Sequence, residues 1–209
     1  MSNPTSRLLT GAALALVPLI GLAVPAAAAT QPVNYACQGK AAGQTANLTL
    51  TQNVDSAAPA TVAAGGALTI ELAPTTNTVP GSAGGYTVNS VKNLSLIVPI
   101  PANSTYVSAS LSGGSGLGST PPTVSVVGKN VVASVPGPIK GGASFQLPKL
   151  TLNLTAGSTG TIDSTLAGTS YTDPGLTFTA TISVIGFPVD APTTCYPSPS
   201  PKLTSTTIG

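Results

Sequence analysis

The feature of this sequence that most constrains its fold is an alternation of apolar and small polar residues that recurs along most of the chain. The alternation is clearest over residues 91–111, where Leu94, Leu96 and Val98 occupy every second position. Apolar side chains at every second position form the buried face of a half-buried β-strand. Beyond residue 29, no window of helical length carries apolar residues at positions i, i+3 and i+4. The sequence therefore predicts an all-β protein.

Glycine and proline divide the alternating segments into short strands. The chain contains 23 glycines and 20 prolines, many of them between two apolar runs. Short strands separated by such turn residues are typical of an antiparallel sandwich, here of about ten strands. Within it, residues 91–99 and 104–111 are predicted to form a strand pair that folds back at a corner over residues 101–104.

The first 29 residues have the composition of a secretory signal peptide. Arg7 supplies a positive charge, residues 8–24 are apolar, and residues 25–29 offer a small-residue cleavage site. The alternative is an uncleaved membrane anchor, but the apolar run is shorter than the roughly 20 residues that a spanning helix needs. We expect cleavage, a mature chain that begins near Thr30, and no membrane span after cleavage.

Two cysteines, Cys37 and Cys195, stand near the two ends of the expected mature chain. A secreted protein reaches an oxidising compartment, where such a pair forms a disulfide bond. Metal or redox use of the pair would require closer spacing and additional ligands. The predicted disulfide favours a single β-sandwich domain over residues 30–197. Residues 198–209, rich in proline, serine and threonine, are predicted to be a disordered C-terminal tail.

Charged residues are scarce in this chain. Past the predicted signal peptide, six lysines and five acidic residues are scattered singly, and no arginine occurs. Nucleic-acid binding requires a basic stripe that neutralises phosphates. The abundance of β-branched residues and the low charge argue against intrinsic disorder as well. We therefore expect a folded extracellular protein without a nucleic-acid partner.

Candidate catalytic and metal-binding residues are few. The chain has no histidine and no G-x-S-x-G segment, so a nucleophilic serine lacks both a base and a recognisable context. Asp163 and Asp173 are the best candidates for a carboxylate pair or for calcium ligands. Asp173 also begins a turn sequence, Asp173-Pro174-Gly175. We expect no catalytic residue, no metal site and no cofactor, and hence a protein that is not an enzyme.

Two segments carry a resemblance to known proteins. Residues 101–110 and residues 139–147 resemble the conserved-repeat Ig-like domains of bacterial surface proteins, with Asn103 in place of the corner glycine of that family. The segments Tyr35-Ala36-Cys37 and Cys195-Tyr196-Pro197 stand at the two ends of a single predicted domain. This arrangement resembles that of small secreted β proteins of high-GC Gram-positive bacteria whose function is undefined. The resemblance implies an Ig-like antiparallel β-sandwich of about ten strands with a spacer or surface-structural role.

Two functions follow from these observations. The first is a secreted, non-catalytic structural or surface component of a bacterial cell envelope, with envelope components or other surface proteins as partners. The second is an extracellular binding module that takes an apolar or glycan ligand on loops at one end of the sandwich. A binding module should have a concave pocket with a few converging polar groups, whereas a structural component should have a filled core.

The candidate contact surface comprises the two longest segments without periodicity, residues 74–85 and 113–122. Because they flank the predicted strand pair, both are expected at the end of the sandwich opposite the corner. Tyrosine offers a large contact area at low entropic cost, so the tyrosine beside the first loop is the expected aromatic anchor. The possible contact residues are Gly85, Tyr86, Gly113 and Gly116.

Overall fold

The computed structural model describes residues 29–209, so the predicted signal peptide, apart from Ala29, lies outside the described residues. Within this range the chain consists of strands, turns and coil, and it includes no helix that is long and apolar enough to cross a membrane. The strands, numbered in chain order, are β1 Ala29–Ala41, β2 Gln44–Ala57, β3 Thr61–Val62, β4 Ala67–Pro74, β5 Asn77–Thr78, β6 Ser82–Ala83, β7 Tyr86–Pro99, β8 Ser104–Ser112, β9 Thr123–Val127, β10 Asn130–Val135, β11 Ile139–Lys140, β12 Ser144–Phe145, β13 Lys149–Ala156, β14 Gly160–Ser164, β15 Leu176–Val184, β16 Phe187–Pro197 and β17 Thr204–Ile208.

One large antiparallel sheet forms most of the molecule. Its main path has the strand order β8-β13-β4-β2-β1-β16-β15-β7-β10-β9, and the short strands β6 and β11 add to β7. The two outermost strands, β8 and β9, follow each other in the chain and lie close together, so the sheet curls around a single apolar core. The predicted all-β antiparallel sandwich of about ten strands is confirmed.

The core is built by the period-2 pattern that the sequence predicts. In β13 every second residue is buried, namely Leu150, Leu152, Leu154 and Ala156, and β10 alternates in the same way. Each fully buried aliphatic side chain of this kind contributes about 1.5–3 kcal/mol relative to an exposed one. This repeated burial fixes the register of each strand, because a slip of one residue would turn its apolar face to solvent.

The corner over residues 101–104 does not join a strand pair, so the prediction that its flanking strands pair with each other is wrong. Strand β7 pairs with β10 and β15, whereas β8 pairs with β13. Pro99 and Pro101 remove two backbone donors at the position where a hairpin ladder would begin, which favours a crossover between the two sides of the sandwich. Asn103 completes the corner with a φ of 59° and donates from Nδ2 to the carbonyl oxygen of Thr161.

The disulfide between Cys37 and Cys195 is present, as the sequence predicts. The two residues lie directly opposite each other on β1 and β16, and their Cα atoms are 4.1 Å apart. Both cysteines are fully buried in the core. The bridge therefore fixes one position in the middle of the large sheet.

The predicted disordered tail over residues 198–209 is wrong, because the chain ends in strand β17. This strand pairs antiparallel with β14 and parallel with β3. Leu203 and Ile208 are buried, and Thr206 is fully buried with its hydroxyl donating to the carbonyl oxygen of Pro59 at 2.6 Å. Residues 204–208 are mostly polar, yet they form a strand, because hydroxyl groups such as that of Thr206 are hydrogen-bonded inside the fold.

Candidate functional site

The core of the sandwich contains a cavity of about 410 Å³. Protein interiors are normally packed as densely as organic crystals, with few voids larger than one water molecule. A cavity of this size falls instead within the range of about 300–1,000 Å³ that is typical of small-molecule sites. The cavity is thus the leading candidate for a functional site.

The walls of the cavity are mainly apolar side chains from the inner face of the large sheet, and polar side chains such as Gln44, Asn47 and Thr49 lie at its exposed edge. None of the residues of the described range that line it carries a charge. The apolar lining includes Leu94 and Val98 of β7, Phe178 and Ile182 of β15, Leu72 of β4, Leu150 of β13 and Phe145 of β12. Such a wall accommodates the apolar part of a ligand and disfavours a charged group, because burial of an unpaired charge is costly.

The cavity reaches the surface at one end of the sandwich. Strands β1 and β15 end there, and β2 and β7 begin there, so their turns surround the opening. The exposed residues Ala42, Gln44 and Tyr86 contribute to this rim, together with Gly84 of the β6–β7 turn. A Cβ atom at Gly84 would lie 3.8 Å from Cβ of Ala46, so this turn approaches β2 across the mouth.

One part of the cavity wall lacks a continuous strand ladder. Strand β2 pairs with β4 only over its last four residues, 54–57, so its first half borders the cavity without a strand neighbour on that side. Two amide side chains bridge the gap: Gln52 Nε2 donates to the carbonyl oxygen of Thr75 at 2.8 Å, and Asn77 Nδ2 donates to that of Thr51 at 2.9 Å. This part of the wall is held by fewer backbone hydrogen bonds than the rest.

Tyr35 on β1 provides a polar group within the apolar wall. The residue lines the cavity and is only 5% exposed, and its hydroxyl makes no hydrogen bond to another residue of the range 29–209. No side-chain oxygen or nitrogen in this range is both fully buried and unpartnered, so the hydroxyl retains access to open space. Burial raises the pKa of the Tyr35 phenol above its ordinary value, so the group is neutral at physiological pH. It can donate a hydrogen bond to a ligand in the cavity.

The predicted contact residues of the first loop lie at or beside the mouth of the cavity. Tyr86 lines the cavity and is 39% exposed. Gly85 lies beside it with a φ of 85° and open space around the position of a Cβ atom. Tyr86 therefore lies at the mouth of the cavity, whereas Gly85 belongs to the turn that precedes Tyr86.

The predicted contact residues of the second loop, Gly113 and Gly116, lie outside the cavity, in a shallow depression formed by residues 113–122. This loop pairs with β12 and the residues that follow it, through two hydrogen bonds between Ser115 and Gln146. A Cβ atom at Gly116 would lie 2.6 Å from the carbonyl oxygen of Ser144, so glycine here permits close backbone packing. A ligand-contact role for this loop stays a prediction.

The two loops nevertheless approach the same segment of the chain. The first loop reaches it through hydrogen bonds from Val79 N to the carbonyl oxygen of Ala143 and from Gly142 N to that of Val79. The second reaches it through the Ser115–Gln146 pair. Segment 142–146 therefore lies between the two loops, an arrangement that the sequence did not predict.

The aspartates singled out in the sequence have separate structural partners. Asp163 accepts hydrogen bonds from Lys202 and Ser205, which hold the pKa of its carboxyl below the ordinary value. Asp173 accepts a hydrogen bond from Thr169 at 2.8 Å within its own turn. The described residues include no group of three or more His, Cys, Asp or Glu side chains arranged to hold a metal ion. Both carboxylates stabilise local structure.

Sequence reasoning did not find the cavity or Tyr35. A sign of the cavity was available, because inner-face positions of three strands carry small residues: Ala133 on β10, and Ala180 and Ala191, which lie opposite each other on β15 and β16. The chain has three phenylalanines and no tryptophan, so it lacks the large side chains that would fill the space. The volume itself depends on how far the sheet curls, which no local pattern specifies.

The fold and the site together define an all-β sandwich with an internal apolar cavity. No protein-family model and no curated protein matches the chain. Among solved structures, it is similar to a protein named "putative membrane anchored protein" from Corynebacterium diphtheriae, with 18% sequence identity and a TM-score of 0.56. The similarity covers 87% of this chain and 38% of the Corynebacterium chain, so this chain spans well under half the length of that protein. At this level of identity the similarity shows a shared fold.

Proposed function

We propose that this protein is a secreted, non-catalytic binding protein of the bacterial cell envelope that holds an apolar molecule, or the apolar part of an amphiphile, inside the sandwich. The observation that carries this proposal is the uncharged cavity of about 410 Å³. A purely structural sandwich has no use for such a volume, and a filled core would make it more stable. The binding function is therefore favoured over the purely structural one.

The packing of the cavity wall supports this proposal. Apolar side chains that border a cavity of about 410 Å³ make fewer contacts than side chains in a filled core. A ligand that fills the cavity restores those contacts, and the binding free energy adds to the stability of the fold.

The composition of the cavity wall favours an apolar ligand over a glycan, the two ligand classes that the sequence suggests. A glycan carries many hydroxyl groups, each of which needs a hydrogen-bond partner when it is buried. Here the amides of Gln52 and Asn77 are engaged with backbone carbonyls, and Tyr35 supplies one buried hydroxyl. Further polar lining residues, Gln44, Asn47 and Thr49, are exposed at the edge of the cavity. We therefore expect an apolar ligand with one or two hydrogen-bonding groups, such as a lipid acyl chain with its ester or hydroxyl.

The location at the envelope is supported by two observations. The Cys37–Cys195 disulfide is typical of proteins that fold in an oxidising compartment. The Corynebacterium diphtheriae protein of the same fold carries a name that refers to a membrane anchor. Partners in this setting are envelope lipids or other surface proteins.

The proposal is tested by titration of the purified protein with a neutral apolar probe, N-phenyl-1-naphthylamine, whose fluorescence rises in apolar surroundings. Wild type should bind about one probe per chain. The variant Ala133→Leu with Ala180→Leu fills the cavity from two inner-face positions, on β10 and on β15, and should lose probe binding while its melting temperature rises. Ala63→Leu, at an exposed position away from the cavity, is the matched control. If wild type binds no probe, or if the filled variant binds as well as wild type, the proposal is wrong.

A further inference from the structure

The hairpin between β15 and β16 exposes two large apolar side chains at its tip. Ile185 is 93% exposed and Phe187 is 72% exposed, the highest values among the large hydrophobic residues of the described range. Each would gain from burial on another apolar surface. An exposed pair of this kind at a protruding tip indicates a contact surface.

The backbone conformation at this tip adds to the argument. Ile185 and Gly186 have φ values of 49° and 80°, which correspond to the two central residues of a tight hairpin turn with positive φ. Asparagine or aspartate normally occupies the first of these positions, because a β-branched side chain is strained there. The chain thus places isoleucine where both the backbone and the exposure to water disfavour it, so folding does not explain the residue.

The tip stands at the mouth of the cavity. Phe187 lies directly opposite Val184, on the inner face of the sheet, and Val184 lines the cavity. On the other side of β15, Tyr86 begins the strand whose next residue, Thr87, pairs with Ser183. Phe187 and Tyr86 therefore extend the apolar wall of the cavity outward to the protein surface.

The hairpin also projects beyond the neighbouring strand. The last pair between β1 and β16 is Gly39 with Thr193, and β1 ends two residues later at Ala41. Residues 187–190 of β16 therefore pass the end of β1, by about 13 Å at roughly 3.3 Å per residue. A convex tip of this kind can enter a soft apolar phase, whereas it offers little area to a flat protein partner.

The distribution of charge favours an anionic surface as the partner. In the half of the molecule near the mouth, Lys40 and Lys140 are exposed and form no salt bridge with residues 29–209, and Lys92 is neutralised by Asp190 at 2.8 Å. In the opposite half, Lys129 and the acidic residues Asp55 and Asp173 form no salt bridge with residues 29–209, so the unpaired charges there are negative on balance. Positive charge beside an apolar tip is the combination that binds anionic lipid surfaces.

We infer that the β15–β16 tip inserts into an anionic lipid surface, so that an apolar ligand passes between the bilayer and the cavity without crossing water. The passage of a ligand between the bilayer and the cavity rests on the proposed ligand-binding function. The docking itself depends only on Ile185, Phe187, Tyr86 and the two lysines. Tyr86 suits the interface, because its ring is apolar and its hydroxyl can stay hydrated.

A single-tryptophan variant tests the docking directly, because the natural chain has no tryptophan. Phe187→Trp should show a blue-shifted emission with vesicles of phosphatidylcholine and phosphatidylglycerol, and quenching when brominated lipid is included. The matched control is Val127→Trp, at a 62% exposed position on β9 at the opposite end of the molecule. It should show neither change. Equal shifts at both positions, or none at position 187, would overturn the inference.

A second variant removes the apolar tip without harming the turn. Ile185→Asn restores the residue type that the turn prefers, and Phe187→Thr keeps a good strand former. Together they should reduce co-sedimentation with the same vesicles by roughly tenfold or more, since each tenfold change corresponds to about 1.4 kcal/mol. The pair Val126→Thr with Val127→Thr should leave it unchanged. Equal sedimentation of the tip variant and wild type would contradict membrane docking.

The experiment separates this inference from the proposed function. Probe binding in vesicle-free solution reports on the cavity alone, and Ile185→Asn by itself, which changes no residue of the cavity wall, should retain it. Retained probe binding with no vesicle binding by wild type would overturn the docking and leave the cavity function intact. Loss of probe binding in wild type would overturn the proposed function, whatever the vesicles show. Light scattering that finds a wild-type dimer abolished by the tip variant would assign the patch to a second copy of the chain and overturn the inference.

Discussion

Cys37 and Cys195 stand directly opposite each other on adjacent strands of one sheet, although 158 positions separate them in the chain. Strand β1 pairs with β2 on its other side, and β16 pairs with β15. The bridge thus joins the first strand to the penultimate one at the centre of the sheet. It closes a long loop of the unfolded chain while it crosses a short distance in the folded protein.

Replacement of both cysteines by alanine should lower the free energy of unfolding by about 2–5 kcal/mol, because the unfolded chain gains the entropy that the bridge removes. Urea unfolding monitored by circular dichroism measures the change. Wild type in reductant should approach the stability of the variant. A loss below about 1 kcal/mol would contradict the expected role of the bridge.

Tyr35→Phe should separate the polar and apolar parts of ligand recognition. The affinity for an amphiphile with an ester or hydroxyl group should fall about five- to tenfold, which corresponds to one hydrogen bond of roughly 1 kcal/mol. The affinity for a pure hydrocarbon probe should stay the same, since the ring is retained. Isothermal titration with both ligand types measures the difference. Equal losses for both would show that the hydroxyl has no ligand partner.

The buried phenol of Tyr35 also predicts a loss of stability at alkaline pH. Burial raises its pKa in the folded protein, whereas the unfolded chain releases the proton near pH 10. Above that pH the unfolded state binds fewer protons than the folded state, so the free energy of unfolding decreases by up to about 1.4 kcal/mol per pH unit. Urea titrations from pH 8 to pH 11 should show a steeper decline for wild type than for Tyr35→Phe. Parallel declines would contradict this assignment.

The C-terminal strand should contribute measurably to stability. Leu203 is 3% exposed, and Leu203→Ala should cost about 2–4 kcal/mol through lost burial and the cavity left behind. Leu203 directly precedes β17, and Thr207 is exposed on that strand, so Thr207→Ala should change stability by less than about 0.5 kcal/mol. Thermal unfolding of the two variants provides the comparison. A disordered tail would give no effect at either position.

Two glycines of one loop provide a matched test of close backbone packing. Gly113 and Gly116 have φ values of 70° and 69°, so alanine is equally strained at both positions. At Gly113 the position of a Cβ atom is open, whereas at Gly116 it would lie 2.6 Å from the carbonyl oxygen of Ser144. Gly113→Ala should cost about 1 kcal/mol, and Gly116→Ala at least about 2 kcal/mol more. Similar unfolding midpoints for the two variants would contradict this packing.

Much of the fold was predictable because the relevant signals are local. Alternation along Leu94, Leu96 and Val98 specifies a strand and its buried face, and glycine and proline mark the turns. The cysteine pair was predictable because only two are present. The pairing of β7 was not, because any strand with one apolar face can pair with several others. Ile208 went unnoticed because four hydroxyl-bearing residues, 204–207, precede it directly.

The sequence by itself determined the all-β class, the turn positions, the disulfide and the low charge, since each depends on residue type and spacing. Only the tertiary structure decided that the curled sheet leaves a cavity, that Tyr35 faces it, and that Phe187 extends its wall at the mouth. The volume of a core depends on the distance and angle between strands far apart in the chain. Tyr35 and Phe187 each fit an ordinary alternating strand, so their roles arise from the long-range strand order alone.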